Sequence, residues 1–164
     1  MDWIVKSVAD PEVPRWTRVP SPYTKEDAWA WIALAGSMAR EGSAYHLIAA
    51  DAETDEPLGS IGLEVHERPA RHGEIGYWLA AAARGRGSAT RAVQMLARWG
   101  IETLALPLVE LHVLPANTRS IAVAKRAGFR PVERRLEPFR GRVEEFSIYA
   151  LNGSGAVPTN RPGP

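Results

Sequence analysis

Two hydrophobic periods alternate along the chain. From Thr24 onward, Ala28, Trp29, Ile32, Ala33 and Leu34 recur at near-helical spacing to about Arg40, and Thr24 with Asp27 three residues on is a capping-box variant, so a helix is predicted there. Tyr45 to Ala50 and Leu58 to Val65 read as strands joined by the turn-forming run Asp51 to Pro57, an antiparallel pair. Glu74-Ile75-Gly76-Tyr77-Trp78-Leu79 is a third strand, with Glu74, Gly76 and Trp78 on one face and Ile75, Tyr77 and Leu79 on the other. Between about Ser88 and Leu104, the residues Val93, Leu96, Ala97, Gly100, Ile101 and Leu104 form the stripe of a core-facing helix. Val109 to Val113 follows as a strand, and the helical crossover makes it a parallel neighbour of the Glu74 strand. A second helix, about Ser120 to Ala127, ends at Gly128, a natural left-handed stop. Phe129 to Leu136 and Phe146 to Leu151 form a closing antiparallel pair around Gly141. The Pro-rich run Val19 to Tyr23 is a loop, and no internal repeat is present. Strands and helices together specify a mixed α/β (α+β) domain over residues 1–151, followed by a disordered Gly- and Pro-rich tail over 152–164.

Composition narrows the chemistry more than the fold. The chain has 164 residues, 45% of them hydrophobic and 24% charged, as expected of an ordinary folded domain. Its net charge of +1 gives no footprint for nucleic acid. Residues 1–76 nevertheless carry seven basic and thirteen acidic side chains, and residues 77–164 thirteen basic and six acidic, so the halves are oppositely charged. Either the two faces pair with each other, or the acidic one meets a cationic ligand and the basic one an anionic ligand. Cysteine is absent, which excludes disulfides, thiolate nucleophiles and Cys-based metal sites. No apolar run reaches the length of a membrane span, and the start lacks a signal-peptide pattern, so a cytoplasmic protein without a membrane partner is expected. His66 and His72 form no metal-binding spacing, and no metal is expected.

The informative segment is the turn Arg84-Gly85-Arg86-Gly87-Ser88-Ala89-Thr90 between a strand and a helix. A helix start presents unsatisfied N–H groups and partial positive charge, and glycines let a phosphate approach them. Arg84 and Arg86 add charge, and Ser88 and Thr90 add hydroxyls; on turn chemistry alone the glycines could equally just make the corner. No Gly-Lys-Ser/Thr triplet closes the turn, which disfavours a P-loop. Thr90 stands where a dinucleotide fingerprint needs its third glycine, and Glu110 lies too far downstream to serve as its acidic partner.

The run Arg84-x-x-Gly87-x-Ala89 resembles the acyl-CoA signature of the GNAT N-acyltransferases. Ile75-Gly76-Tyr77-Trp78-Leu79 before it, with Pro115-x-Asn117-x-x-Ser120 and Ala127-Gly128-Phe129 after it, is similar to the branch of ribosomal-protein N-terminal acetyltransferases (RimJ/RimL-like). Asp10-Pro11-Glu12-Val13, Trp16 and Pro22-Tyr23 resemble that branch's substrate-side loop, and the likeness extends over roughly residues 8–151. It implies a central mixed, mostly antiparallel sheet flanked by helices, with two splayed parallel central strands. It also implies acetyl-CoA as cosubstrate, with its diphosphate on residues 84–90 (Arg84, Gly85, Arg86, Gly87, Ser88, Ala89, Thr90) and its pantetheine arm along Trp78 and Leu79 and against Asn117. The acceptor is an amine, favoured as a peptide or protein N-terminus; a polyamine or aminoglycoside, or a CoA-sensing module without chemistry, are the other readings.

On that resemblance Ser120 is the general acid for the departing thiolate, although it also suits a helix N-cap, and Asn117 suits a turn or cap. A backbone N–H near Leu79 is the oxyanion donor. Glu74, bordering the acetyl site, is the favoured base through a water; Glu137, Glu144, Glu145 and His112 are alternatives that spacing does not separate. Trp16 and Tyr23 are expected in the acceptor pocket, and Trp29 and Trp31 either join them or pack in the core. The family branch opens with a strand that has no counterpart here, because Met1 to Ala9 matches the helix after it. Whether the start lies upstream or the chain is short, a sheet edge is left exposed and a homodimer becomes an expectation.

Overall fold

The computed structural model describes residues 2–153. Three helices come first: α1 (Asp2–Val8), α2 (Glu12–Trp16) and α3 (Lys25–Glu41). The capping box starting α3 is reciprocal, with Thr24 accepting from the Asp27 N–H and Asp27 accepting from Thr24, and Gly42 at φ 72° ends the helix. A meander follows, β1 (Ala44–Ala50), β2 (Pro57–His66) and β3 (His72–Leu79). After a single 3₁₀ turn, α4 (Ser88–Glu102), β4 (Leu108–Val113) and α5 (Thr118–Arg126) complete the crossover, and β5 (Arg130–Phe139) with β6 (Arg142–Asn152) closes the chain.

The six strands form one sheet in the order β1-β2-β3-β4-β6-β5, antiparallel throughout except for β3 beside β4. Strand β3 follows β2 from Gly59↔Leu79 to His66↔His72, and β4 follows β6 from Leu108↔Asn152 to Val113↔Ser147. Between β3 and β4 the register holds only at Gly73↔Val109 and Glu74↔Glu110. Beyond Glu74 the two strands diverge, so the sheet is two ladders joined at one end and open at the other. The expected mixed α/β architecture with a splayed parallel pair is therefore present.

Helices α4 and α5 cover one face. Val93, Leu96 and Ala97 from α4 and Ala124 from α5 pack on Ile61, Leu63, Ile75, Val109, Leu111 and Tyr149 of the sheet. Glycine is required where α4 comes closest: a Cβ on Gly73 would lie 2.7 Å from Leu63 and 2.9 Å from Leu106. The opposite face carries a small cluster, Phe139, Phe146 and Ile148 with Leu114, and beside it a polar centre.

Three details depart from the expectations. Trp16 ends a short helix instead of lying in a loop. The helix after β4 starts at Thr118, with Asn117 as its cap, so Ser120 is inside the first turn and not the cap. Asn152 is still strand, and the Gly153 N–H donates to the Pro107 carbonyl; the expected tail from residue 154 lies outside the described residues.

Candidate functional site

The N-terminus of α4 is bare. Gly87 is its cap at φ 78°, no side chain accepts from the first-turn amides, and the first turn holds no acidic residue. The first N–H bonded back into the helix is that of Arg91, to the Gly87 carbonyl, so the amides of Ser88, Ala89 and Thr90 point outward. Gly85 at φ 79° and Gly87 have open space within 4 Å of where a Cβ would stand, so an anion can reach the main chain there. Arg84, Gly85, Gly87, Ser88, Ala89 and Thr90 all line the same cleft, whereas Arg86 is exposed beside it. Arg84 has a structural task as well. Its Nε and Nη2 donate to the Leu79 carbonyl at 3.1 and 2.9 Å, and its Nη1 meets Asp10 at 2.8 Å, tying the early Asp10 loop to the turn.

The open end of the sheet leads from this turn into the molecule. Because the Ala80 N–H bonds to the Leu58 carbonyl, strand alternation directs the main-chain groups of Trp78 toward β2 and those of Tyr77 and Leu79 toward the gap. Trp78 is therefore no edge partner for a ligand in the gap; its indole stacks on Trp3 at 5.7 Å, on the other face. Across the gap, Asn117 Oδ1 accepts the Ser120 N–H at 3.1 Å, which leaves the Asn117 NH₂ available. Ser120 Oγ lies 2.9 Å from the hydroxyl of Tyr77, a residue that the strand alternation assigned to the packed face and no chemical role. Burial raises the Tyr77 phenol, and the bond to Ser120 only partly opposes this, so the hydroxyl keeps its proton and can donate it.

On the opposite face, at the joined end of the gap, His112 stands among three carboxylates. Its Nε2 is 2.9 Å from Glu110, and its Nδ1 is 2.8 Å from Glu137 and 3.6 Å from Glu74. Burial alone would lower the ring; the hydrogen bond to Glu110 and the charges of Glu74 and Glu137 outweigh it, so His112 holds its proton to higher pH than a free histidine. Burial would likewise raise Glu110, but His112, Arg135 and His72 reverse the effect and its carboxyl sits below the usual range. Arg18 from the early loop spans Glu74 and Glu137 at 3.7 and 3.5 Å.

Of the alternative bases, only Glu74 and His112 line the cleft. Glu144 and Glu145 pair with Arg142 and Arg134 on the exposed hairpin, and Glu137 stands behind His112. The expectation that His112 is a solitary strand histidine is corrected: it is the hub. A signal for it existed, since parallel neighbours with alternating side chains place Glu74, Glu110 and His112 on one face.

Both ends of the gap open into a cleft of ≈ 1560 Å³. That exceeds the ~300–1,000 Å³ of a single small-molecule pocket, which leaves room for two ligands meeting in the middle. Trp16 and Tyr23 line its acceptor side, as does Trp31, while Trp29 is 63% exposed and lies outside it. Trp16 is fixed by its indole N–H to Glu12 and by Arg15 over its ring. Gly76, in the middle of a central strand, is exposed to the cleft with nothing within 4 Å of a built Cβ. This side is not simply acidic, because Arg18 and Arg119 line it with Glu12 and Glu74. Among the described residues no group of His, Asp and Glu has metal-binding geometry, and no helix is long and apolar enough to cross a membrane.

Comparison with known proteins matches residues 2–130 to the acetyltransferase (GNAT) domain. A relative in Bacillus licheniformis, the uncharacterized N-acetyltransferase p20, is 31% identical over 146 residues, spanning 87% of this chain and 82% of its own. Among solved structures, the ribosomal-protein-S5-alanine acetyltransferase from Vibrio fischeri superposes with a TM-score of 0.80 at 18% identity, over 94% of this chain and 88% of the other. The spermidine N-acetyltransferase from Vibrio cholerae, in complex with CoA and spermine, does so with a TM-score of 0.75 at 17% identity, over 93% and 89%.

Proposed function

This chain belongs to the GNAT family of acetyltransferases, and from that premise we propose that it moves the acetyl group of acetyl-CoA to a primary amine, in preference the N-terminus of a peptide or protein. One observation carries the reading: a single gap in the sheet has an uncapped helix start and a hydroxyl pair on one side and a cleft-facing carboxylate on the other. The amides of Ser88, Ala89 and Thr90, with Arg86 nearby, suit the diphosphate. The gap-facing main chain of Tyr77 and Leu79 and the free amide of Asn117 suit the amide-rich arm, much as an added strand is held. Arg84 acts here by bracing the turn.

Acetyl-CoA supplies an acetyl group already activated as a thioester. The chain's own residues then manage two protons. Glu74 takes one from the acceptor ammonium through a water, which frees the nitrogen lone pair to form the new N–C bond. As the C–S bond breaks, Ser120 Oγ gives a proton to the leaving sulfur, and its partner Tyr77 can replace it. The Leu79 N–H, directed into the gap, faces the oxygen that gains negative charge. His112, clamped by Glu110 and Glu137, holds a positive charge beside Glu74 and so keeps that carboxylate ionised and in place.

The choice of acceptor rests on the cleft wall. Trp16 and Tyr23 offer stacking surface, and Glu74 is met there by Arg18, so one ammonium is accommodated while the further charges of a polyamine would face arginine. Calorimetry with acetyl-CoA, followed by thiol release against peptide and polyamine panels, tests this. Turnover on peptides is expected. Binding without turnover on any amine would favour a CoA sensor, and turnover confined to polyamines would reassign the acceptor.

A further inference from the structure

The cleft continues beneath α3 to the outer edge of the sheet, where Ala35, Leu47 and Ile48 line it. Ala28 alone is buried among the seventeen residues of α3, and the six consecutive apolar residues from Trp29 to Leu34 are all exposed. Six successive positions sweep the whole circumference of a helix, so the first half of α3 overhangs the sheet instead of turning one face outward. Its seat on the sheet is β1. That strand is the edge, and among the described residues its outer side pairs with nothing. Tyr45 packs on Trp99 below the sheet and His46 on Trp31 above it, so the exposed Leu47 lies below and the exposed Ile48 above. Solitary edge strands are normally guarded by charge, proline or a bulge. The run Ala-Tyr-His-Leu-Ile-Ala-Ala has no acidic or basic residue besides His46 and no proline, and its bulge comes only at Ala49/Ala50.

We propose that this face seats a second copy of the chain. The two β1 strands pair antiparallel about a two-fold axis through their midpoint, near Leu47, and the two α3 helices lie antiparallel above the joint. Symmetry selects this occupant. An axis perpendicular to the sheet keeps both overhanging helices on one face, where each covers the other's exposed apolar half, and the contact closes on itself. Charge agrees with it. Glu26 near the start of α3 and Arg40 near its end are in no ion pair among the described residues, and the antiparallel arrangement brings each toward the other's mate twice over. The uncharged centre of β1 offers no repulsion to its copy.

Sedimentation equilibrium of the full chain is expected to give twice the 18.0 kDa of one copy. Ile48→Lys, at an exposed position, should raise the dimer dissociation constant at least tenfold with unchanged circular dichroism. Glu26→Arg should raise it several-fold, and adding Arg40→Glu should restore it, a rescue that requires the antiparallel helices. Because the chain has no cysteine, Leu47→Cys introduces a single thiol that should link two copies on mild oxidation, whereas Glu102→Cys on the exposed end of α4 should not. A wild-type chain that stays monomeric at every concentration overturns the proposal. So does a dimer that is indifferent to Ile48→Lys and to the charge exchange.

Discussion

Ser120 illustrates how one side chain can be separated from its structural duties. The cap of α5 is Asn117, whose side chain holds the Ser120 N–H, so removing the Ser120 hydroxyl leaves the helix start intact. Ser120→Ala should therefore lower kcat while melting within a degree or so of wild type. Tyr77 is 2.9 Å away and can protonate the same sulfur, so Ser120→Ala or Tyr77→Phe alone should cost about tenfold and the pair about 10²–10³-fold, a non-additive pattern readable in steady-state kinetics. Glu74→Gln should cost on the order of 10² in kcat/KM, because the amide keeps the shape and loses the proton acceptor. Gly76 separates binding from folding in the same way. Nothing lies within 4 Å of its absent Cβ, so Gly76→Leu should fold normally and bind CoA normally, while its side chain fills the acceptor half and raises the acceptor KM at least tenfold. Unchanged acceptor KM in that variant would place the amine elsewhere.

At the scale of elements, the claim that α4 holds the diphosphate must be disentangled from the strain of replacing a left-handed glycine. Gly87 and Gly141 provide the comparison, at φ 78° and 76°, both with open space around a built Cβ, one at the helix start and the other in the β5–β6 turn. A non-glycine residue there costs roughly 1–2 kcal/mol. Gly87→Glu and Gly141→Glu should therefore lower the melting temperature alike, but only Gly87→Glu, which puts a carboxylate on the anion seat, should weaken CoA binding by 10² or more in calorimetry. The glycine turn and the helix stripe behind it were legible in the sequence, because spacing and periodicity are local. The strand faces were legible too, through alternation. The Tyr77–Ser120 contact was not, since it joins residues 43 positions apart across a gap whose width no local pattern encodes. Neither was the recruitment of Glu137, which comes from β5 through a sheet order that places β6 between β4 and β5. Trp78 misled for a related reason: the residue belongs to the right strand, but main-chain direction depends on the register with β2.

For the whole molecule, the carboxylate hub links stability to pH on both sides of a window. Glu110 has its carboxyl lowered in the fold, so its contribution is present above the unfolded value of 4.5 and is lost as pH falls through the lower folded value. His112 is raised in the fold, so its contribution is complete below the unfolded value of 6.5 and disappears as pH climbs through the higher folded value. The two effects overlap between about pH 4.5 and 6.5, where the contact at 2.9 Å joins a carboxylate to an imidazolium. Thermal melts should accordingly show a shoulder of stability in that window and a decline above it. His112→Gln keeps a hydrogen-bonding group but no positive charge, leaving Glu110 and Glu137 without their shared counter-ion. Breaking such a buried set costs about 3–5 kcal/mol, on the order of 10 °C in melting temperature for a chain of this size. The deficit should be largest inside the window and shrink above it, where wild-type His112 is itself neutral. A His112→Gln curve parallel to wild type at every pH would mean that the ring is neutral throughout, and Glu74 would then have no cation behind it when it accepts the acceptor's proton.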